Sequence, residues 1–285
     1  MFKTIGNFIK WIGDHFKGML FLLILALIFM PSTDTNTSNA NLQEIKLSGP
    51  IMSADKILKE IEKAQKSKNI KGVLLNVNSP GGAVPPSIEI AYAIKRLQAV
   101  KPVIAYASGI MASGSYYASI YANKIIANPG SIVGSIGVIM QSADVSKLMN
   151  TLGVKTQTVK QGTYKEAGTP TRQWTDAERK ELETLTKDTY ELFVSDVAKA
   201  RGLKVKDAKK YADAHIFSSK RAKEAGLIDA IGVRTDANLM LMAEANVTKP
   251  VWKKKAKLES FMEELSTKSI FKIQNYFYGL KSSLF

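Results

Sequence analysis

KPVIAYASGIMASGSYYASIYANKIIANPGSIVGSIGV, running from Lys101 to Val138, decides the reading of the chain. It opens on a short apolar run, Val103 to Ala107, bounded by Pro102 and Gly109. A tight ASGS turn follows at Ala112 to Ser115, and then a small-residue segment with helical spacing. The order implies strand, turn and helix. A serine on such a turn stands at a strand end with the next backbone N–H aimed at whatever docks there, which is the geometry a nucleophilic serine requires. Ser113 is therefore a candidate nucleophile, although serines at crowded strand-to-helix turns are more often caps or packing residues.

Three further pieces could complete an acyl-transfer site. NVNSPGGAV, Asn76 to Val84, follows the apolar run Val73 to Val77, so that Gly81 and Gly82 leave a strand in a turn whose N–H groups can approach a substrate carbonyl. PGSIVGSIG, Pro129 to Gly137, is a second turn-rich piece and carries Ser131 and Ser135. GTYKEAGTP, Gly162 to Pro170, sets Lys165 between two glycines with a proline beyond, the composition of an ordered loop.

In this order the pieces resemble signal peptide peptidase A, the membrane-bound serine-lysine protease family of bacteria, related in fold to Clp protease and the crotonases. The resemblance runs from about Ile45 to about Val233, and is most specific in SPGG (Ser79 to Gly82), ASGSYY (Ala112 to Tyr117), GSIG (Gly134 to Gly137) and GTYK (Gly162 to Lys165). It implies a Clp protease/crotonase-like α/β fold of repeated ββα units with a parallel sheet. It further implies Ser113 as nucleophile, Lys165 as general base, Ser135 as a hydroxyl orienting the lysine, and N–H groups of Gly81 or Gly82 and of Gly114 as oxyanion donors. Ser115 departs from the pattern, which has a second glycine there.

Outward from the turn, strands and helices alternate. Ile45 to Leu47 is expected as a strand, Ser53 to Lys68 as a helix with Ile57, Leu58, Ile61 and Ala64 on one face, and Gly72 to Val77 as a buried strand. Pro86 to Ala99 is expected as a helix, and Val103 to Ala107 as the next strand. This is the signature of parallel βαβ units, which place both glycine- and serine-bearing turns at the carboxyl ends of neighbouring strands. Further on, the spacing predicts a short helix over Asp144 to Gly153, a strand over Val154 to Val159, and a long helix to about Arg201 whose capping box is Thr175 with Glu178. Ser218 or Ser219 starts a helix that ends at Gly226, and the helix near Thr235 to Asn246 closes the domain.

The N-terminus sets the expected compartment. Met19 to Met30 is unbroken apolar sequence behind Lys3, Lys10 and Lys17, and resembles an export signal. Twelve residues reach only about 18 Å as a helix, so a cleaved signal peptide competes with an anchor. Pro31 follows at once, and the only small-x-small site, Ser38 to Ala40, lies far from the apolar core. The reading is therefore an uncleaved anchor over 18–31, behind an amphipathic segment at 1–17 and before a polar linker at 32–43. The positive flank keeps the N-terminus cytoplasmic and sends the catalytic domain, 44–249, to the extracytoplasmic side of a bacterial inner membrane. A basic amphipathic tail fills 250–285, with packing on the domain or a neighbour as its expected role and membrane contact as the alternative.

Composition narrows the function. The 285 residues carry 40 basic and 25 acidic side chains, a formal charge of +15, but no aromatic-interleaved basic patch or nucleic-acid motif, so nucleic acid is not an expected partner. Without cysteine there is no thiol chemistry and no disulfide. His15 and His215 are the only histidines and lie outside any ligand-spaced cluster, so neither a metal, a cofactor nor a histidine triad is expected. The expected activity is that of a membrane-anchored serine endopeptidase degrading hydrophobic peptides, among them signal-peptide remnants. A relative cutting a stomatin-type membrane protein, a crotonase-like acyl-CoA enzyme and a catalytically dead scaffold are the alternatives. The expected assembly is a homo-oligomeric ring with Ser113 of one copy beside Lys165 of the next.

Overall fold

Alternating burial on two faces makes the central strands. In β1 (Leu42–Ser48), β2 (Gly72–Ser79) and β3 (Val103–Ala112), successive side chains point to opposite sides of the sheet, and both sides are covered. Val73, Leu75 and Val77 join Ile45, Val103 and Ala105 on one face, against α1 (Asp55–Lys66) and α2 (Val84–Gln98) through Ile57, Ile61, Ile90 and Ile94. Leu74, Ile104 and Tyr106 face the other way, with Leu42 and Ile126.

The computed structural model describes residue 11, residues 13–22 and residues 39–254. The chain divides into two units, Asn39–Lys253 and a second made up of Met1–Ser38 and Lys254–Phe285. In the terminal unit residues 13–22 are helical with exposed side chains. Most of the apolar run expected as an anchor, most of the amphipathic segment before it and residues 255–285 of the tail lie outside the described residues. Among those described, no helix is long and apolar enough to cross a membrane.

In the larger unit, α3 (Gly114–Ser119) follows β3, and β4 (Lys124–Ala127) and β5 (Ile132–Gly134) come next. After them come α4 (Ser146–Thr151), the long α5 (Asp176–Arg201), a 3₁₀ turn at Val205–Asp207 and α6 (Ala208–Tyr211). The unit closes with β6 (Ile216–Ser218), α7 (Ser219–Glu224), β7 (Ala230–Ile231) and α8 (Arg234–Glu244), which lays Ala237 and Leu241 on the second face of the sheet. The sheet runs β1-β2-β3-β4-β7, all parallel; β5 extends it beside the end of β3, and β6 pairs antiparallel with β5. Residues after Pro250 return to the first strand, where Lys253 donates its N–H to Leu42 and Val251 accepts from Asn41 and Leu42.

Two local departures bear on the site. β3 continues past the expected Ala107 to Ala112, because a register shift lets its last residues pair anew, Ser79 with Met111 on one side and Ala112 with Gly134 on the other. Residues 154–159, expected as a strand, have no regular structure and are on the surface. A strand needs a neighbour for its N–H and C=O groups, and no strand among the described residues pairs with this run.

Candidate active site

The parallel pairing of β2, β3 and β5 brings three turns to one edge of the sheet. Ser113 follows β3 directly at φ 52°, ψ −125°, a left-handed conformation that a residue with a side chain adopts at a cost of about 1–3 kcal/mol. It is locked there by its N–H donating to the Gly134 carbonyl at 2.8 Å and by its own carbonyl accepting from Tyr117 N at 3.0 Å. The kink lifts the serine out of the strand and starts α3 immediately beyond it. Gly114 is the first helical residue, so its N–H has no acceptor within the helix and remains available to a ligand.

The SPGG turn packs against that kink. Gly81 sits at φ 96°, and a Cβ there would lie 2.6 Å from Gly114 N and 2.8 Å from Ser113 Cβ, so only glycine permits the approach. Its N–H is engaged by Ser79 Oγ at 3.2 Å. Gly82 N is left beside Gly114, 3.3 Å from where a Cβ on that residue would stand. A further hydroxyl, Ser87 Oγ, fills the remaining space at Gly114 and donates to the Ala83 carbonyl at 2.8 Å. Gly82, Ser113 and Gly114 line one cleft, whose walls are Val84 and Ile88 of α2, Tyr117 of α3, Val138, and Leu192 and Phe193 of α5. Thr189 of α5 also lines the cleft, its hydroxyl donating to the Leu185 carbonyl at 2.8 Å, and apart from that group and the Tyr117 hydroxyl, which is turned to Asp196, these walls are apolar. Burial, then that carboxylate, raises the phenol pKa of Tyr117, so it stays neutral and rigid beside the cleft.

Ser135 leaves β5 one residue beyond the Ala112–Gly134 pair, at the same level as Ser113 and also left-handed, φ 51°. Its N–H donates to the His215 carbonyl at 2.8 Å. His215 thus contributes backbone, while its ring is exposed, packs edge-on to Phe217, and lines no part of the cleft. Lys165 is not brought to Ser113 in the single chain. It occupies an exposed turn between Gly162 and Gly168 and is absent from the cleft lining. The turn itself is well tied: Glu166 pairs with Lys160 at 2.7 Å and Arg172 at 3.1 Å, and Arg172 also grips buried Glu178 through both oxygens at 2.7 and 2.9 Å. Hydrogen bonds from Lys160 and then Arg172 hold the Glu166 pKa at about 2. Glu178 is likewise held at about 2, by Arg172 first and the Thr175 N–H second.

Among the described residues no cluster of three or more His, Asp or Glu could hold a metal ion. Sequence reasoning gave no structural role to Ser79, Ser87 or Asp196. It noted Ser115 only as a departure from a pattern.

Comparison with known proteins supplies the class. Peptidase family S49 matches residues 95–248, more than half of the chain, a span that takes in Ser113, Ser135 and Lys165. The chain belongs to this peptidase family. A relative from Methanocaldococcus jannaschii, named as a protease, is 42% identical over 190 residues, covering 67% of this chain and 61% of its own. One from Enterococcus faecium, bearing the name signal peptide peptidase SppA, is 36% identical over 192 residues, 67% of this chain and 56% of its own. The match thus spans little more than half the length of either relative. A solved structure titled a membrane-bound stomatin-specific protease shares the fold with a TM-score of 0.50 at 14% identity, covering 77% of this chain and 96% of its own.

Proposed function

We propose that the chain is a membrane-anchored serine endopeptidase in which Ser113 is the nucleophile and Lys165 the general base, acting on hydrophobic peptides such as released signal peptides. The observation that carries this reading is the left-handed Ser113 between β3 and α3, open to a cleft shared with the N–H groups of Gly82 and Gly114. In that cleft Ser113 Oγ attacks the scissile carbonyl and passes its proton to Lys165. Gly82 and Gly114 donate to the oxyanion, Gly81 being excluded by its own bond to Ser79. The lysine then protonates the leaving amine, and water releases the acyl group from Ser113. Ser135, leaving the adjacent strand at the same level, orients the lysine. The walls formed by Val84, Ile88, Leu192 and Phe193 favour apolar side chains over charged ones.

Lys165 reaches a serine by assembly in this reading. Ile139, Leu152 and Val159 are 82%, 68% and 100% exposed in the segment that leads to it, an apolar surface suited to a second copy. A homo-oligomer then unites Ser113 of one copy with Lys165 of the next. The apolar run at 18–31 anchors the chain by a single pass in the cytoplasmic membrane, with the N-terminus inside and the catalytic unit outside.

The test uses the full chain in detergent with synthetic signal peptides. Ser113→Ala and Lys165→Ala should each be inactive, and refolding the two as a mixture should restore turnover, since about a quarter of random interfaces pair intact serine with intact lysine. Mixed oligomers verified by mass spectrometry but lacking activity would sink the shared site.

A further inference from the structure

Between β2 and β3 the backbone ladder fails just before the site. The register passes from Val77 opposite Ala107 to Ser79 opposite Met111, leaving Ser108, Gly109 and Ile110 bulged out of it. Side chains take over the lost pairing. Ser108 Oγ reaches the Val77 carbonyl at 3.2 Å, and Asn78 Oδ1 accepts from Ile110 N at 3.0 Å. The last of these substitutes, and the one nearest the cleft, is Ser115.

Ser115 is fully buried on the first turn of α3. Its Oγ accepts the Ala112 N–H at 2.8 Å, and its single proton lies between two acceptors, the Ser79 carbonyl at 2.7 Å and the Ala112 carbonyl at 2.9 Å. The hydroxyl therefore joins the residue before Ser113 to the residue three before Gly82. Ser79 passes the constraint on, because its own Oγ accepts the Gly81 N–H. One continuous run of bonds connects both turns whose N–H groups face the cleft.

Resting on the peptidase reading above, we infer that Ser115 is a positioning residue, whose hydroxyl fixes the spacing of the Gly82 and Gly114 N–H groups around the oxyanion. Spacing matters because such donors act only when placed for the tetrahedral state, and a displacement of an ångström forfeits much of their effect. The ladder resumes only at the single Ser79–Met111 pair, so loss of the hydroxyl takes from the Ser79 carbonyl and the Ala112 N–H a buried partner and loosens the tie between the SPGG turn and the nucleophile. The ground-state cleft, walled by side chains of α2 and α5, is not built by this contact.

The experiment compares Ser115→Ala with Ser119→Ala in the full chain. Ser119 is an equally buried hydroxyl on the same helix, but it donates only to the Ser115 carbonyl at 2.8 Å and bridges no strands. On a fluorogenic hydrophobic peptide amide, Ser115→Ala should lose about tenfold or more in kcat with KM little changed, and its affinity for a peptide boronate, which mimics the tetrahedral state, should fall in parallel. Ser119→Ala should match it in lowered melting temperature but keep the parent kcat. Ser115→Gly removes the same hydroxyl and should repeat the loss, so a folding failure of one variant leaves the other to decide. A kcat for either Ser115 variant within about twofold of the parent overturns the inference. Equal kcat losses in Ser115→Ala and Ser119→Ala, tracking stability alone, overturn it as well. If the parent shows no turnover that Ser113→Ala abolishes, the peptidase reading itself has failed and the inference falls with it, an outcome separate from the other two.

Discussion

Residues 72–119 and residues 139–170 treat their apolar side chains in opposite ways. In the first stretch Val73, Leu74, Leu75, Val77, Ile104 and Met111 are completely buried, and Ser113 with its glycine neighbours is braced from three strands. In the second, Ile139, Leu148, Leu152 and Val159 face water, and the chain takes its form from the short α4, a few backbone bonds such as Val145 N–H to the Pro170 carbonyl at 2.9 Å, and the charged cluster at 160–178. At about 25 cal/mol per Å² of apolar area, leaving such side chains bare is a standing cost that a neighbour's surface would relieve. Ser113 and its glycine neighbours are thus fixed within one chain, whereas Lys165 stands in an exposed turn apart from them, and the proposed shared site would bring it to the serine of another copy.

The comparison breaks most directly at Ser113. Ser113→Ala should lower kcat/KM on the order of 10⁴-fold or more and abolish labelling by a fluorophosphonate, while the fold survives. Lys165→Ala should be as inactive, and so should Lys165→Arg, because a guanidinium does not give up its proton. Appreciable turnover in either lysine variant would leave the second stretch without a catalytic part.

A smaller effect is expected at Gly81. Gly81→Ala forces a Cβ to within 2.6 Å of Gly114 N at a positive φ, so the turn must retreat from the nucleophile. Activity should fall about a hundredfold, the measure of one lost oxyanion donor, with a stability loss of about 1–2 kcal/mol by thermal denaturation. Full activity in this variant would show that the close approach of the two turns is not needed.

Much of the first stretch was legible in the sequence and little of the second, for a physical reason. Strands buried on both faces write themselves as continuous apolar runs, and the Thr175–Glu178 capping box forms as its spacing requires, with Thr175 N to Glu178 Oε2 at 2.9 Å. The glycine pair and Ser113 were readable because turn chemistry is local. Which glycine N–H stays free was not, since it depends on Ser79 Oγ meeting Gly81 N after folding. Val154 to Val159 carries the composition of a strand, but a strand is made by its partner, and local pattern does not reveal where that partner comes from. Ser115 could be seen only as an oddity until the register shift opposite it came into view.

At the surface of the second stretch, Ile139→Asp with Val159→Asp should weaken self-association without touching the core. By light scattering the assembled mass should drop toward that of one chain, and activity should fall with it. The melting temperature of the Asn39–Lys253 unit should change by no more than about 2 °C, because exposed positions contribute little to folding. An unchanged mass with unchanged activity would mean that these side chains face something other than a second copy.

The mildest expected effect is on the mount of the lysine turn, and it appears in acid. Glu166 and Glu178 both have folded pKa values lowered to about 2, through hydrogen bonds from Lys160 and Arg172 and, for Glu178, from the Thr175 N–H. A carboxylate depressed in this way stabilises the folded arrangement above its ordinary value near 4.5, and the contribution drains away as pH falls from there toward 2. Amide exchange over residues 160–175, corrected for the intrinsic pH dependence, should quicken across that window while the central strands remain protected. Arg172→Gln, which removes both carboxylates' shared partner, should show the faster exchange already at neutral pH and lose the Glu178 part of the acid response, while Lys160 keeps part of that of Glu166. If exchange in this segment is equally slow at pH 3 and pH 6, the charged cluster is not what holds the turn, and the order of the second stretch must come from the assembly itself.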